Sequence, residues 1–357
     1  MGEIGRVCVE DSVQDGVDVL SSSDDMASEA DHLVVLVHGI LGSTANWKFT
    51  AEQFVRSLPD KVVVHCSDCN TYMLTLDGID VMGERLAEEV VEAINRRPGI
   101  QKISFVAHSV GGLVARYAIG RLYRLPSRKD QEVCQSYLYE ENSRGSICGL
   151  EAMNFVTLAT PHLGSRGNKQ VPFLFGINAI EKVASRIIHL IFRRTGKHLF
   201  LTDMDDGKPP LLQRMVVDWG DLYFMSALQI FRRRVAYSNV VHDHIVGWRT
   251  SSIRRNSELP EREDSLSEKY PHIVYEELSN GENVDKCTDF AGFTWDHQLL
   301  EEKMATALSS LSWEKVDVSF HNSIQRFDAH SVIQVKDFLI HSDGADVIHH
   351  MIDHFLT

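Results

Sequence analysis

ISFVAHSVGGLVARY, residues 103–117, carries an apolar strand-like run into a serine, and the serine into two glycines and a helix-like stretch. It nearly spells G-x-S-x-G, with Ala107 where the first glycine would stand. A serine at the tip of a sharp strand-to-helix turn needs very small residues two positions before and after it, because strand and helix almost touch there. Ala107 and Gly111 meet that demand, and Gly112 gives further clearance. On five residues alone, a buried serine closing a core strand would be the simpler reading. The context tips it: KISFVAHS (102–109) reads as a strand and VGGLVARYAIGRLY (110–123) as the helix after it, which makes Ser109 the tip of an elbow.

The same alternation extends outward. HLVVLVHGI (32–40) and KVVVHCS (61–67) are apolar runs of strand length, separated by a helix-like stretch (43–58) with Trp47, Phe54 and Val55. DGIDVMGERLAEEVVEAINRR (77–97) is a long amphipathic helix, with Asp77 as its expected N-cap and Pro98-Gly99 as its stop. EAMNFVTLAT (151–160), RRRVAYSNVV (232–241) and EKVDVSF (314–320) add strands, and GADVIHHMIDHFL (344–356) closes the chain as a helix. Strands that are apolar throughout and alternate with helices predict a mostly parallel central sheet covered by helices on both faces, an α/β fold. Residues 1–31 read as a disordered acidic tail and 32–357 as one domain. Two segments break the rhythm. Residues about 165–231 are expected to form a helical cap or lid, and about 250–312 a polar surface insertion.

A nucleophilic serine needs donors for the oxyanion and an acid–base pair. Val110 N–H, at a helix N-terminus, is one candidate donor. H38-G39-I40-L41-G42 supplies the other, through Ile40 N–H or alternatively Leu41 N–H, its two glycines letting the backbone bend. The chain order serine, carboxylate, histidine points to Asp243, in the turn after VAYSNVV; a solvated turn aspartate is the competing reading. The stretch PHLGS, after the preceding strand, carries no carboxylate. The histidine should lie between the last strand and the last helix, where His321, His330 and His341 all qualify. His330 is favoured for its mid-loop place and small neighbours. Leu41 and His108 beside the elbow, and Phe173 and Phe175 in the apolar insertion, are the expected substrate contacts. Arg193, Arg194, Lys197 and His198 follow the apolar stretch 171–192; an anionic head group or membrane surface is one reading of them, and a solvated helix end is the equal alternative.

Composition narrows the partners. Of 357 residues, 36 are basic and 50 acidic, a formal charge of −14 that argues against nucleic acid. The hydrophobic share of 43% suits an ordinary core. Cys8, Cys66, Cys69, Cys134, Cys148 and Cys287 show neither disulfide-framework nor zinc spacing, so free thiols in a reducing compartment are expected. The acidic start lacks a basic region followed by an apolar run, and no stretch of about 20 apolar residues occurs. A soluble, cytoplasmic protein is the expectation.

HGILGS, AHSVGG, TLATPHLGS, RTGKHLFLTD, GKPPLLQRM, VVHDHIVGWRTSSIRR and the C-terminal AHSVIQV with SDGADVI together resemble the putative serine esterase family of α/β-hydrolases, nearest to its plant lipase-like members. The resemblance spans residues 32–357. It implies the α/β-hydrolase fold, a Ser109, Asp243 and His330 triad, and lipase or esterase chemistry on lipid-like or other apolar acyl esters without metal or organic cofactor. Contact with a membrane or lipid droplet would accompany such substrates. An acyltransferase with the same triad, and a non-catalytic ligand receptor on the same scaffold, are the alternatives.

Overall fold

The computed structural model describes residues 18–19, 30–126, 145–165, 192–204, 207–258, 267–281 and 297–357. Its strands are β1 (Asp18–Val19), β2 (His32–Val37), β3 (Val62–Cys66), β4 (Lys102–His108), β5 (Tyr123–Arg124), β6 (Ser146–Ile147), β7 (Glu151–Leu158), β8 (Arg233–Asn239), β9 (Ile273–Ser279) and β10 (Trp313–Val318). Strands β5 and β6 form a separate two-stranded ribbon. The other eight form one sheet in the order β1-β3-β2-β4-β7-β8-β10-β9. Pairing is parallel from β3 through to β10, and the two edges, β1 on β3 and β9 on β10, are antiparallel. This is the mostly parallel, doubly covered sheet that the sequence predicts.

The uniform apolarity of the strands has a direct cause: both faces are buried. In β2, Leu33, Val35 and Val37 join one core and Val34 and Leu36 the other, as a two-residue side-chain period requires. The first core is covered by α2 (Ile79–Arg96), α3 (Val110–Leu122), α4 (Phe224–Gln229) and α5 (His297–Ser309). The second is covered by α1 (Lys48–Ser57) and α6 (Ala345–Asp353). Helix α2 turns Ile79, Met82, Leu86 and Val90 inward at helical spacing.

The structure corrects several boundaries. Gly78, not Asp77, occupies the N-cap of α2, at φ 113°, where a side chain would be strained. Asp77 lies outside the helix and pairs with Arg85 at 2.8 Å. The described residues of the 250–312 segment are not a polar surface excursion: they supply edge strand β9 and helix α5, whose Leu300, Met304 and Leu308 are core residues. The polar pattern misled because its charges pair inside: Arg254 Nη1 donates to both oxygens of Asp317 at 2.8 Å, and Arg249 pairs with Glu301 and Glu302. Described residues of the expected cap belong to the core as well. Leu201, Leu211, Leu212, Met215, Phe224 and Phe231 are buried against the sheet. Residues 166–191, including Phe173 and Phe175, lie outside the described residues.

Candidate active site

Strand β4 lies at the centre of the sheet and ends at His108; α3 starts at Val110. Between them Ser109 takes φ 56° and ψ −132°, a conformation that L residues rarely hold. Hydrogen bonds fix the turn on both sides: Ser109 N–H donates to Leu158 O at 2.9 Å, and Gly112 N–H to Ser109 O at 3.1 Å. Close packing explains the small residues. A Cβ on Gly111 would sit 2.5 Å from the carbonyl oxygens of Val37 and His38. One on Gly39 would sit 2.8 Å from Ser109 Cβ. Ala107 is fully buried, with its methyl accommodated.

Ser109 Oγ lies 3.0 Å from His330 Nε2, and His330 Nδ1 lies 3.0 Å from Asp243 Oδ2. A carboxylate can only accept from Nδ1–H, which leaves Nε2 to accept the Ser109 proton. All three residues are buried. Burial pushes the Asp243 carboxyl up, but the His330 imidazole, Val246 N–H and Asn239 outweigh it and hold the carboxyl below its ordinary range. Asp243 Oδ1 accepts from Ile245 N–H at 3.0 Å and Val246 N–H at 2.8 Å, and Oδ2 from Asn239 Nδ2 at 2.9 Å. The aspartate is therefore an ionised, fully hydrogen-bonded anchor for the imidazole.

The other candidate histidines fall elsewhere. His321 is exposed and contacts Ser319 Oγ. His341 is buried and bonds Asp328 Oδ2 at 2.8 Å, which steadies the turn leading into His330. His108 packs beside the elbow: its Nε2 donates to His330 O at 2.7 Å, so that nitrogen is committed to the histidine loop. Burial first, and the charge of His330 second, push the His108 imidazole well below its usual value. Sequence reasoning missed Asn239, whose Nδ2 reaches both Asp243 Oδ2 and Ala329 O. Nothing in the local pattern marks an asparagine at a strand end as a bridge between two distant loops.

Ile40 and Val110, the latter next to Ser109 in the chain, line one small pocket with His38, Gly39, Ser67, Asn70, Thr75 and Gly111. Neither Ile40 N–H nor Val110 N–H has an acceptor among the described residues. Leu41 N–H is engaged with Thr75 Oγ1 at 2.9 Å. Val110 N–H also sits at the positive end of α3. Leu41 is half exposed on the rim. Of the basic cluster, Arg194 pairs with Asp80 and buried His198 accepts Ile79 N–H at 3.0 Å, while Arg193 and Lys197 are exposed. A buried serine aligned with an imidazole and a carboxylate, next to two unpaired N–H groups, can give up its proton as it attacks a carbonyl carbon and stabilise the oxyanion that forms.

Comparison with known proteins adds three findings. The profile of the family described as putative serine esterase (DUF676) matches residues 27–253. Two fungal proteins align over similar stretches. "Putative lipase C4A8.10" of Schizosaccharomyces pombe is 27% identical over 238 residues, covering 64% of this chain and 27% of its own. "Putative lipase ROG1" of Saccharomyces cerevisiae is 30% identical over 229 residues, covering 62% and 28% respectively. The aligned region thus spans little more than a quarter of either relative. Among solved structures, the mature form of Bacillus licheniformis lipase BlEst2 aligns with 14% identity and a TM-score of 0.36, covering 61% of this chain and 70% of its own.

Proposed function

The chain belongs to the putative serine esterase family, and on that premise we propose that it is a carboxylic ester hydrolase of lipid-like or other apolar acyl esters, working through an acyl-enzyme. The observation that carries the reading is the hydrogen-bonded run from Ser109 through His330 to Asp243, with the serine held on a strained elbow. In the first half-reaction Ser109 Oγ forms a bond to the ester carbonyl carbon while its proton passes to His330 Nε2. Ile40 and Val110 N–H groups take the developing oxyanion. The intermediate collapses, the C–O bond to the alcohol breaks, and His330 returns the proton to the departing alkoxide. Water then repeats the sequence on the acyl-enzyme, releasing the acid and restoring Ser109.

Apolarity of the substrate is supported by the surroundings. Leu41 stands on the oxyanion loop, Ile245 follows Asp243, and Ile324 and Phe327 precede His330; all four are exposed. Contact with a lipid surface would follow from the same residues. No helix among the described residues is long and apolar enough to cross a membrane.

Intact-mass analysis after a fluorophosphonate probe tests the proposal on wild type, Ser109→Ala and His330→Ala. One adduct on wild type, none on Ser109→Ala and strongly slowed labelling of His330→Ala is the expected result. Folded wild-type protein that takes no adduct, even with detergent present, would sink it and favour a ligand receptor.

A further inference from the structure

The loop that offers Ile40 N–H is not self-supporting. Leu41, its next residue, holds φ 54° without being glycine, and only external contacts can keep a branched side chain there. Within the loop Gly42 N–H closes onto Gly39 O at 3.1 Å. Among the described residues, every other hydrogen bond to the backbone of residues 40–42 comes from one neighbour, the 3₁₀ turn Tyr72–Leu76. Tyr72 N–H donates to Gly42 O at 2.9 Å, and Thr75 Oγ1 accepts Leu41 N–H at 2.9 Å.

Thr75 is buried, and its hydroxyl has both roles filled: it donates to Tyr72 O at 2.5 Å while accepting from Leu41. Its own carbonyl is anchored in turn. Thr195 Oγ1 donates to Thr75 O at 2.8 Å and accepts Gly78 N–H at 3.0 Å, and Thr195 is fully buried. Thr75 also lines the same small pocket as Ile40, Val110 and Gly39. The hydroxyl therefore occupies the one acceptor position that engages Leu41 N–H and leaves Ile40 N–H unpaired beside Val110.

The geometry assigns Thr75 as the positioning residue of the oxyanion hole, with Thr195 as its anchor; this rests on the hydrolytic reading above. Among the described residues the hydrogen bonds of Thr75 go to Leu41, Tyr72 and Thr195, none to Ser109. Thr75 acts by holding the Ile40–Leu41 peptide in its left-handed turn, so that the donor facing the developing oxyanion is already in place. An interaction that matters only when the oxyanion forms affects kcat and leaves ground-state binding nearly unchanged.

The test uses the full chain. Fluorophosphonate labelling of wild type is measured first, followed by kcat and KM on a p-nitrophenyl ester and Ki for an alkyl trifluoromethyl ketone, whose adduct carries the oxyanion. Thr75→Val, which keeps the shape and removes the acceptor, is expected to lower kcat roughly 10- to 100-fold with KM nearly unchanged. Ki should weaken by the same factor, and Thr75→Ser should stay near wild type. Thr195→Val should lose kcat and Ki together, by a smaller factor. If Thr75→Val does not fold, Thr75→Cys, with its poorer acceptor, carries the same expectation at lower amplitude. A folded Thr75→Val or Thr75→Cys with wild-type kcat overturns the assignment, as does a fall in kcat with Ki unmoved. Unlabelled wild type overturns the hydrolytic reading itself and the assignment with it, so the two failures are told apart.

Discussion

Asn239 gives two hydrogen bonds from one nitrogen, to Asp243 Oδ2 at 2.9 Å and Ala329 O at 3.2 Å, while its buried Oδ1 accepts none among the described residues. A buried carbonyl left unsatisfied is costly, so the side chain is held at this position by its donor. Replacing it by alanine removes a bond to an ionised carboxylate, worth about 1.5–3 kcal/mol. We expect kcat/KM on an acyl ester to fall about 10- to 100-fold in Asn239→Ala, with the melting midpoint lowered only modestly. Asn239→Asp would set a second carboxyl beside Asp243. Two adjacent carboxylates resist joint ionisation, so the pair would hold a proton at higher pH than Asp243 does alone. The acid limb of the pH–activity profile should accordingly move upward in pH, and an unmoved limb would argue against the contact.

At the scale of elements, the elbow tolerates alanine at one flank and not at the other. Gly111 faces two backbone carbonyls that cannot yield, 2.5 Å from where its Cβ would be. Gly111→Ala is expected to cost about 2–3 kcal/mol through overpacking, read as a lower urea midpoint together with slowed probe labelling of Ser109. Ala107→Gly should cost only about 0.5–1 kcal/mol through added chain freedom and leave labelling intact. Helix α5 offers a second check, because a segment that reads as polar surface contributes fully buried Met304. Met304→Ala should destabilise by about 2–5 kcal/mol, whereas a surface residue would move the midpoint hardly at all.

Across the whole molecule, stability should be lost on the acid side. Burial, with Lys102 adding to it, pulls the His32 imidazole down to about 4. Burial also lowers His38, His108, His162 and His198. These groups stay neutral in the fold while the unfolded chain takes up protons below the ordinary value of 6.5. Their contribution is complete above that pH and declines as pH falls toward each folded value. Glu89 acts lower still. Burial raises its carboxyl, but His65, followed by Cys69 and Ser67, outweighs that and holds it at about 2, so its share is present above 4.5 and lost on approach to 2. Urea midpoints should be nearly flat from pH 8 to 7 and drop steadily from about pH 6.5 to 4. His32→Gln should make that drop shallower. A second global constraint is the Arg254–Asp317 pair, which ties the segment after β8 to β10. Removing either partner strands a buried charge and should cost about 3–5 kcal/mol.

What the sequence by itself determined is whatever depends on neighbours along the chain. Uniform apolar strands alternating with helices specify a doubly covered parallel sheet. A-H-S-V-G between a strand and a helix marks the elbow by its small flanking residues, although the atoms that demand a glycine at 111 are the carbonyls of Val37 and His38 at the end of β2. The loop H-G-I-L-G was legible for the same reason. Charge sign in and just before 250–312 misled, since sequence shows that Arg249 and Arg254 are charged but not that carboxylates wait inside to pair with them. Only the tertiary structure decided which of three histidines meets Ser109: His330 lies 221 positions away in the chain, and its place depends on how the loop after β10 folds back. Asn239 and Thr75 were invisible for that reason too. Their roles consist of hydrogen bonds to partners 90 and 34 positions distant, and such contacts are fixed by packing, not by any local pattern.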